Sequence, residues 1–410
     1  MKVGWQIRTL GEVCKFQRGL TYAKGDEVDT SNNIVLRASN IDVSSNLLDF
    51  NDLKFISDTI SVPDSKKVKK DSILICTASG SKSHLGKVAF IDDDYDYAFG
   101  GFMGMITPSN GLNPKYLFHL MTSLQYKDFI SGLADGVNIN NLKFDDLKSF
   151  NIFFPSLAEQ QRIVTILDEA FEGIATATAN AKKNLTNALE LFEGYLQSIF
   201  TNKKNGWMMS HLKALTTKIG SGATPRGGEE AYKLQGVSLI RSLNVHDMSF
   251  HYRKLAFLDD AQAEGLSNVV IQTRDVLLNI TGASVARCCI VPDDVLPARV
   301  NQHVSIIRPI SEKLDAEFLH YLLISPPYKN QLLQTGGEGG STRQAITKAQ
   351  IENFLIVYPD SVTEQRLIVN RINLLREETK KLEAIYQQKL TALDELKKSI
   401  LNQAFSGQLN

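Results

Sequence analysis

The chain has 410 residues, 43% apolar and 22% charged, which allows two or three domains, each with its own core. Its 45 Lys plus Arg balance 45 Asp plus Glu, so net charge supplies no general attraction to nucleic acid, and a DNA-binding face must concentrate its charge locally. No apolar run reaches membrane-spanning length and Met1-Lys2-Val3-Gly4-Trp5 opens no signal-peptide core, so the expected compartment is the cytoplasm.

Residues 1–155 form the first predicted domain. Ile34-Val35-Leu36-Arg37, Ser72-Ile73-Leu74-Ile75-Cys76 and Asn151-Ile152-Phe153-Phe154 are β-rich runs between clusters of turn residues, and read as strands. One helix is expected over residues 115–132, which makes the domain α+β.

A long helix is predicted over residues 156–203. Pro155 precedes Ser156, and Glu159 three residues later completes a capping box. The apolar or small residues Leu167, Phe171, Ile174, Thr178, Ala181, Leu185, Ala188, Phe192, Tyr195 and Ile199 alternate steps of four and three, as a coiled-coil seam does. The same phase returns 201 residues later at Ile368, Ile372, Leu375, Thr379, Leu382, Tyr386, Lys389, Leu393, Leu396 and Ile400, with one polar interruption at Lys389. This second helix, over residues 360–410, has its own Ser361 and Glu364 box after Pro359. Roughly forty residues make a rod of about 60 Å. A single such helix reads as a dimerisation device. Two in-phase copies can pair antiparallel within the monomer and hold what lies between them at a set distance.

The second domain, residues 204–359, echoes the first. Trp5 and Leu10 return as Trp207 and Leu212, Arg37 and Asn40 as Arg241 and Asn244, and Asp71-Ser72-Ile73-Leu74 as Asp275-Val276-Leu277-Leu278. Phe150 and Pro155 return as Phe354 and Pro359. The chain is therefore a duplication of domain plus helix, with an internal pseudo-twofold relation. The loops differ: Asn138-Ile139-Asn140-Asn141 faces Ser341-Thr342-Arg343-Gln344, and Thr77-Ala78-Ser79 faces Ile280-Thr281-Gly282. One scaffold with two loop sets implies two ligand sites of one kind.

Catalytic signatures are missing from the sequence. No phosphate-binding loop fits, Gly220-Ser221-Gly222 reads as a turn, and no Gly-x-Ser-x-Gly elbow is present. Ser325-Pro326-Pro327-Tyr328 resembles the amine-holding loop of amino-methyltransferases, but it follows a predicted helix over residues 317–324 and reads as a helix stop. Cys14, Cys76, Cys288 and Cys289 lack metal-ligand spacing and read as buried thiols; no metal site and no cofactor are expected in this chain.

The chain thus reads as a binder whose polar loops could read bases, Arg and Asn by bidentate bonds to base edges and Lys and Ser by holding phosphates. In the first domain the candidates are Arg18, Thr21, Arg37, Asn40, Lys82, Ser83, Asn138, Asn140 and Asn141, with the Lys66-Lys67-Val68-Lys69-Lys70 run on the DNA backbone. In the second they are Thr224, Arg226, Arg241, Asn244, Asn279, Thr281, Ser284, Arg299, Asn301, Gln302, Thr342 and Arg343. Any one of these is also open to the plainer reading of turn residue or solvated surface. The two recurring Arg and Asn pairs have a scaffold reading as well.

Taken together, Glu159-Gln160-Gln161-Arg162-Ile163-Val164, its echo Glu364-Gln365-Arg366-Leu367-Ile368-Val369, and the terminal Leu396-Lys397-Lys398-Ser399-Ile400-Leu401-Asn402-Gln403-Ala404-Phe405-Ser406-Gly407-Gln408-Leu409 carry a family likeness, as do Asn279-Ile280-Thr281-Gly282-Ala283-Ser284 and Val300-Asn301-Gln302-His303-Val304. With them the sequence resembles the DNA-specificity subunit of Type I restriction-modification enzymes over its full length. The second copy lacks one glutamine of the usual helix-start pair. The resemblance implies two target-recognition domains on an antiparallel coiled coil, each reading half of a bipartite site in the major groove of double-stranded DNA. It implies two modification (methyltransferase) subunits docked on the helices, with Gln160, Gln161, Arg162, Gln365 and Arg366 as partner-binding candidates, and restriction subunits joining them. S-adenosylmethionine, ATP and Mg would reside in those partners, and this chain would be catalytically silent. The alternatives are the recognition subunit of a Type IIB-like system, a coiled-coil scaffold without nucleic acid, and a methyltransferase using the Ser325 to Tyr328 loop.

Overall fold

The computed structural model describes residues 4–43, 45–80, 84–134, 141–201, 206–337 and 345–409. The chain divides into two compact units, Met1–Lys182 with Gln388–Asn410, and Lys183–Gln387. Both divisions fall inside the long helices, Leu157–Thr201 and Val362–Ser406, each of 45 residues. At 1.5 Å per residue each runs about 68 Å, too long for one small domain to cover.

In the first unit Cys14–Arg18, Met103–Pro108, Ser72–Cys76 and Val88–Ile91 lie in that order in an antiparallel sheet. The second unit repeats the order with Thr216–Ser221, Val304–Pro309, Val276–Asn279 and Cys288–Ile290. A smaller sheet stacks on each: Asn33–Leu36 lies parallel to Tyr97–Phe99 in one, Val237–Ile240 parallel to Ala298–Val300 in the other. This explains why Ser72–Cys76 is an unbroken apolar run. Alternate side chains of a strand face opposite sides, and here Ile73 and Ile75 enter the core shared with the helices while Leu74 and Cys76 enter the core between the sheets. Val276 and Leu278 part from Leu277 in the same way. The ladders fix the repeat one residue away from the sequence pairing: Ile73 opposes Ile106 and Val276 opposes Ile307, so Ser72 corresponds to Asp275. The four cysteines are buried free thiols, and burial pushes those of Cys14 and Cys289 up to about 12.

Each domain is closed by its first and last strands, Gln6–Thr9 with Asn151–Phe154 and Trp207–His211 with Leu355–Pro359. Their exit leads straight into a long helix. Ser156 Oγ accepts from the Glu159 N–H at 3.4 Å and Ser361 Oγ from the Glu364 N–H at 3.5 Å, the serine half of each capping box. One turn in, a buried glutamine fastens the helix to its domain. Gln160 Oε1 accepts from the Asn113 N–H, and its Nε2 donates to the Gly111 and Pro155 carbonyls. Gln365 repeats all three bonds with Asp315, Lys313 and Pro359. Asn113 and Asp315 in turn cap the helices Pro114–Leu120 and Ala316–Ile324.

Within each unit the two long helices run antiparallel. In the first, Ile163, Val164 and Leu167 share a core with Leu401, Ala404, Phe405 and Leu409, and further along Lys397 lies over the Phe171 ring. In the second, Phe192, Leu196 and Phe200 share a core with Ile368, Val369 and Ile372. The first seam is buried or half-buried at every predicted position. The second is corrected after Thr379: Leu382, Lys389 and Leu396 are exposed, and Glu383, Leu390 and Lys397 face inward one residue later. Two consecutive four-residue steps there form a stutter, which a strict repeat does not anticipate. Lys389 is thus no interruption.

Two further expectations change. The single helix over residues 115–132 is two, Pro114–Leu120 and Leu124–Ala134. Between them the Thr122 hydroxyl donates to the His119 carbonyl, competing with helix continuation. The second domain breaks at Ser325 and restarts at Pro326, a residue suited to a first helical position. Tyr328 is buried in the core, away from any amine-holding role. Gly220 and Ser221 end a strand instead of forming a turn.

Replacing Gln365 by Leu strands the Asp315 N–H and the Lys313 and Pro359 carbonyls, so urea denaturation should show a loss of about 3 kcal/mol. A variant of unchanged midpoint that fails only in partner docking would return Gln365 to a partner-binding role. Burial lowers the His320 ring to about 4, against about 6.5 when unfolded. Its contribution is present above pH 6.5 and lost as pH falls toward 4. The stability advantage of wild type over His320→Leu should therefore shrink by about 1 to 2 kcal/mol between pH 7 and pH 5 in thermal melts.

Candidate nucleic-acid interface

In each unit three strand connections converge at one end of the main sheet. In the second unit, Thr216–Ser221 runs out at Gly222, whose N–H donates to the Asn301 carbonyl at 3.1 Å. A Cβ at Gly222 would lie 1.9 Å from the Val300 carbonyl oxygen, so only glycine permits this crossing. Two residues on, the Thr224 hydroxyl donates to Gln302 Oε1 at 2.5 Å. The Gln302 amide meets His303 Nε2 at 3.1 Å, and His303 Nδ1 meets the Thr281 hydroxyl at 2.6 Å. With the amide donating into Nε2, the ring proton sits on Nδ1 and is donated to Thr281. Thr281 also bridges to Ala345, where the last loop re-enters. Thr224, Gln302, His303 and Thr281 are thus one polar chain across three connections, with Gln302 exposed.

The first unit builds the same junction from other side chains. A Cβ at Gly19 would fall 2.0 Å from the Gly100 carbonyl oxygen, and Leu20 N–H donates to Phe99 at 2.7 Å. Thr21 corresponds to Thr224 and lies beside Gly101. Phe102 takes the place of His303: its carbonyl accepts from the Thr77 and Ala78 N–H groups, as that of His303 accepts from Ile280. Ala78 bridges to Asn141 as Thr281 does to Ala345, which shifts the sequence pairing of Asn141 by one residue.

Of the candidate readers, Thr21, Asn141, Thr224, Thr281 and Gln302 come together at these junctions. Arg18, at the end of its strand, lies over the Phe144 ring at 5.3 Å; Arg226 is exposed in the turn after Thr224, and Ser284 ends the short 3-10 turn Gly282–Ser284 beside Thr281. Others belong to the scaffold, which corrects the sequence expectation. Asn40 and Asn244 are buried; each accepts from the N–H of Arg37 or Arg241, and each amide donates to two carbonyls of the following loop. Arg37 pairs with Asp52, and Arg241 reaches Glu229 and the Lys254 carbonyl. Asn279 is buried and donates to Ser242 and Val245, Asn301 is buried and accepts from the His303 N–H, and Arg299 donates to the Ala263 and Ala298 carbonyls. Such bonds engage these groups within their own unit. Lys82, Ser83, Asn138, Asn140, Thr342 and Arg343 lie outside the described residues. In the lysine run, Lys66 donates to the Arg18 and Gly19 carbonyls and Lys67 pairs with Asp96.

Among the partner candidates, burial removes Gln160 and Gln365 from the surface. Gln161 accepts from Asn113 Nδ2 and Arg366 approaches Asp315, each touching the cap that its neighbouring glutamine also holds. Arg162 makes a bidentate pair with Glu159 and donates to the Leu409 carbonyl at 3.0 Å. His303 and Phe102 are not among the sequence candidates; the internal repeat, which aligns the two, is the signal that finds them.

A family model described as the Type I restriction modification DNA specificity domain matches residues 2–190 and again 204–392. The chain belongs to this family and carries its domain twice. The StySPI specificity subunit of Salmonella potsdam and the EcoKI specificity subunit of Escherichia coli are each 26% identical over 435 aligned residues, covering 99% of this chain and 89% of the relative. The fold is shared with a chain from a type I R-M system whose complex assembly has been studied structurally, at TM-score 0.80 and 20% identity over 100% of this chain and 99% of that one. The HsdS subunit from Thermoanaerobacter tengcongensis matches at TM-score 0.61 and 20% identity, over 100% and 98%. No helix among the described residues is long and apolar enough to cross a membrane.

The scaffold assignment of Asn244 has a direct consequence. Asn244→Ala should lower the unfolding free energy by about 2 to 4 kcal/mol through three lost buried bonds, while any DNA sequence preference of the folded fraction, measured by competition binding, stays as in wild type.

Proposed function

We propose that this chain is the DNA-specificity subunit of a Type I restriction-modification complex, with each unit reading one half of a bipartite site in the major groove. The observation that carries this reading is the double match to one DNA-specificity domain, with a common scaffold and different chemistry at its two strand junctions: Thr224, Gln302, His303 and Thr281 in one, Thr21, Phe102 and Asn141 in the other. In the second junction the donors and acceptors, held at the sheet end by their own hydrogen bonds, are pre-oriented for base edges, and exposed cations such as Arg18 and Arg226 suit phosphates.

The remaining functions belong to partners. Modification subunits would supply S-adenosylmethionine and adenine methylation, and restriction subunits ATP- and Mg-dependent cleavage, so this chain contributes recognition and no catalysis. Exposed Leu189, Leu191, Leu367 and Leu374 on the long helices offer apolar surface for those subunits. Phosphate contacts from the partners make a neutral subunit workable. The setting is the cytoplasm, where the DNA is. The Type IIB-like alternative differs only in partner, and the Type I family model favours the present reading.

The test is a map of methylated adenines in cells with and without the chain. A split motif with a fixed gap should lose methylation when the chain is removed; unchanged methylation overturns the proposal. A four-residue insertion in the first long helix, about one turn, should lengthen the gap, and exchange of residues 1–155 should alter one half of the motif alone.

A further inference from the structure

Phe102 is 73% exposed, more than any other aromatic side chain among the described residues. An exposed phenyl ring is ordinarily unremarkable on a mobile loop, where it can fold back onto the surface. Here the backbone that carries the ring is fixed. The Phe102 carbonyl accepts from the Thr77 N–H at 2.9 Å, the Ala78 N–H at 3.1 Å and the Thr77 hydroxyl at 3.0 Å. The turn leading to it is closed by Met103 N–H donating to Gly100 at 2.8 Å, and Gly19 lies so close to the Gly100 carbonyl that no side chain fits between. The ring is therefore presented from a fixed backbone, and covering it requires little loss of backbone conformational entropy.

Its surroundings say what would cover it. In the second unit the corresponding place holds His303, joined through hydrogen bonds to Gln302, Thr281 and Thr224. In the first unit the counterparts of Gln302 and Thr281 are Gly101 and Ala78, so the polar chain is replaced by an apolar tip with Thr21 and Asn141 at its sides. A tip of that chemistry in a major groove matches one feature of the base pairs, the C5-methyl group of thymine. Resting on the proposed specificity function, we infer that Phe102 is a specificity-determining residue of the first recognition domain, its ring packed against a thymine methyl in that domain's half of the site. The two halves are then read by different chemistry, with an apolar contact added in the first that the second lacks.

The experiment uses the full chain assembled with its modification subunits and duplexes carrying the mapped site. Each thymine of the first half-site is replaced in turn by deoxyuridine, which keeps the pairing and removes only the methyl. One replacement should weaken wild-type binding about four-fold, the scale of one buried methyl group, and should leave the Phe102→Ala complex, already weaker on the thymine duplex, unchanged. Uracil effects that are equal in wild type and variant, or a first half-site without thymine, overturn the inference. So does a variant that binds DNA normally but loses modification subunits, which would assign the ring to a protein interface. If the wild-type complex binds no split site, the specificity function itself fails, an outcome distinct from a bound site that ignores Phe102.

Discussion

The rest of the structure depends on a buried side-chain amide. Gln160 and Gln365 each join three backbone groups: the cap of a domain helix, the loop before it, and the proline at the exit of the last strand. A carboxamide has one acceptor and two donor positions, and the junction uses the oxygen and both donors. Leaving any of those backbone groups dry would be costly. The long helix consequently leaves its domain in one direction, and the junction loops at the sheet end are held in a frame that includes that helix.

Within that frame the two units separate scaffold from reader. The buried asparagines, the crossing glycines and the doubly buried central strands recur in both units, and all of them satisfy internal demands. The side chains that differ, Phe102 against His303, Ala78 against Thr281 and Gly101 against Gln302, sit where the backbone is already satisfied. Such positions can be exchanged with little effect on the cores, which is the physical condition for one fold to serve many DNA sequences.

Much of this organisation was legible in the sequence because it is periodic. The helices, their caps, the duplication and the buried central strands all write their pattern into residue spacing. The stutter after Thr379 was not legible, because Leu382 and Leu390 both offer apolar side chains and only packing selects the second. Gly222 reads with its neighbours as a turn, since a glycine required by a close backbone crossing looks the same in sequence as one required by a bend. The readers were hardest to identify. Asn40 and Asn141 are the same residue type, yet one is buried as a loop brace and the other stands exposed at a junction; the composition of a loop does not say which way its amides point. Phe102 lay outside any search for polar readers, because exposure of an apolar ring is a property of the fold alone.

The bond from Arg162 to the Leu409 carbonyl joins residues 247 positions apart. Around it, Leu401, Ala404, Phe405 and Leu409 complete the core of the first unit. At the ribosome those side chains emerge about 12 to 50 s after the helix they cover, at 5 to 20 residues per second. During that interval the first unit carries an uncovered apolar face, and its core is complete only once Leu401 to Leu409 have docked. Exposure to chaperones in that window follows from the sequence distance between the two packed segments.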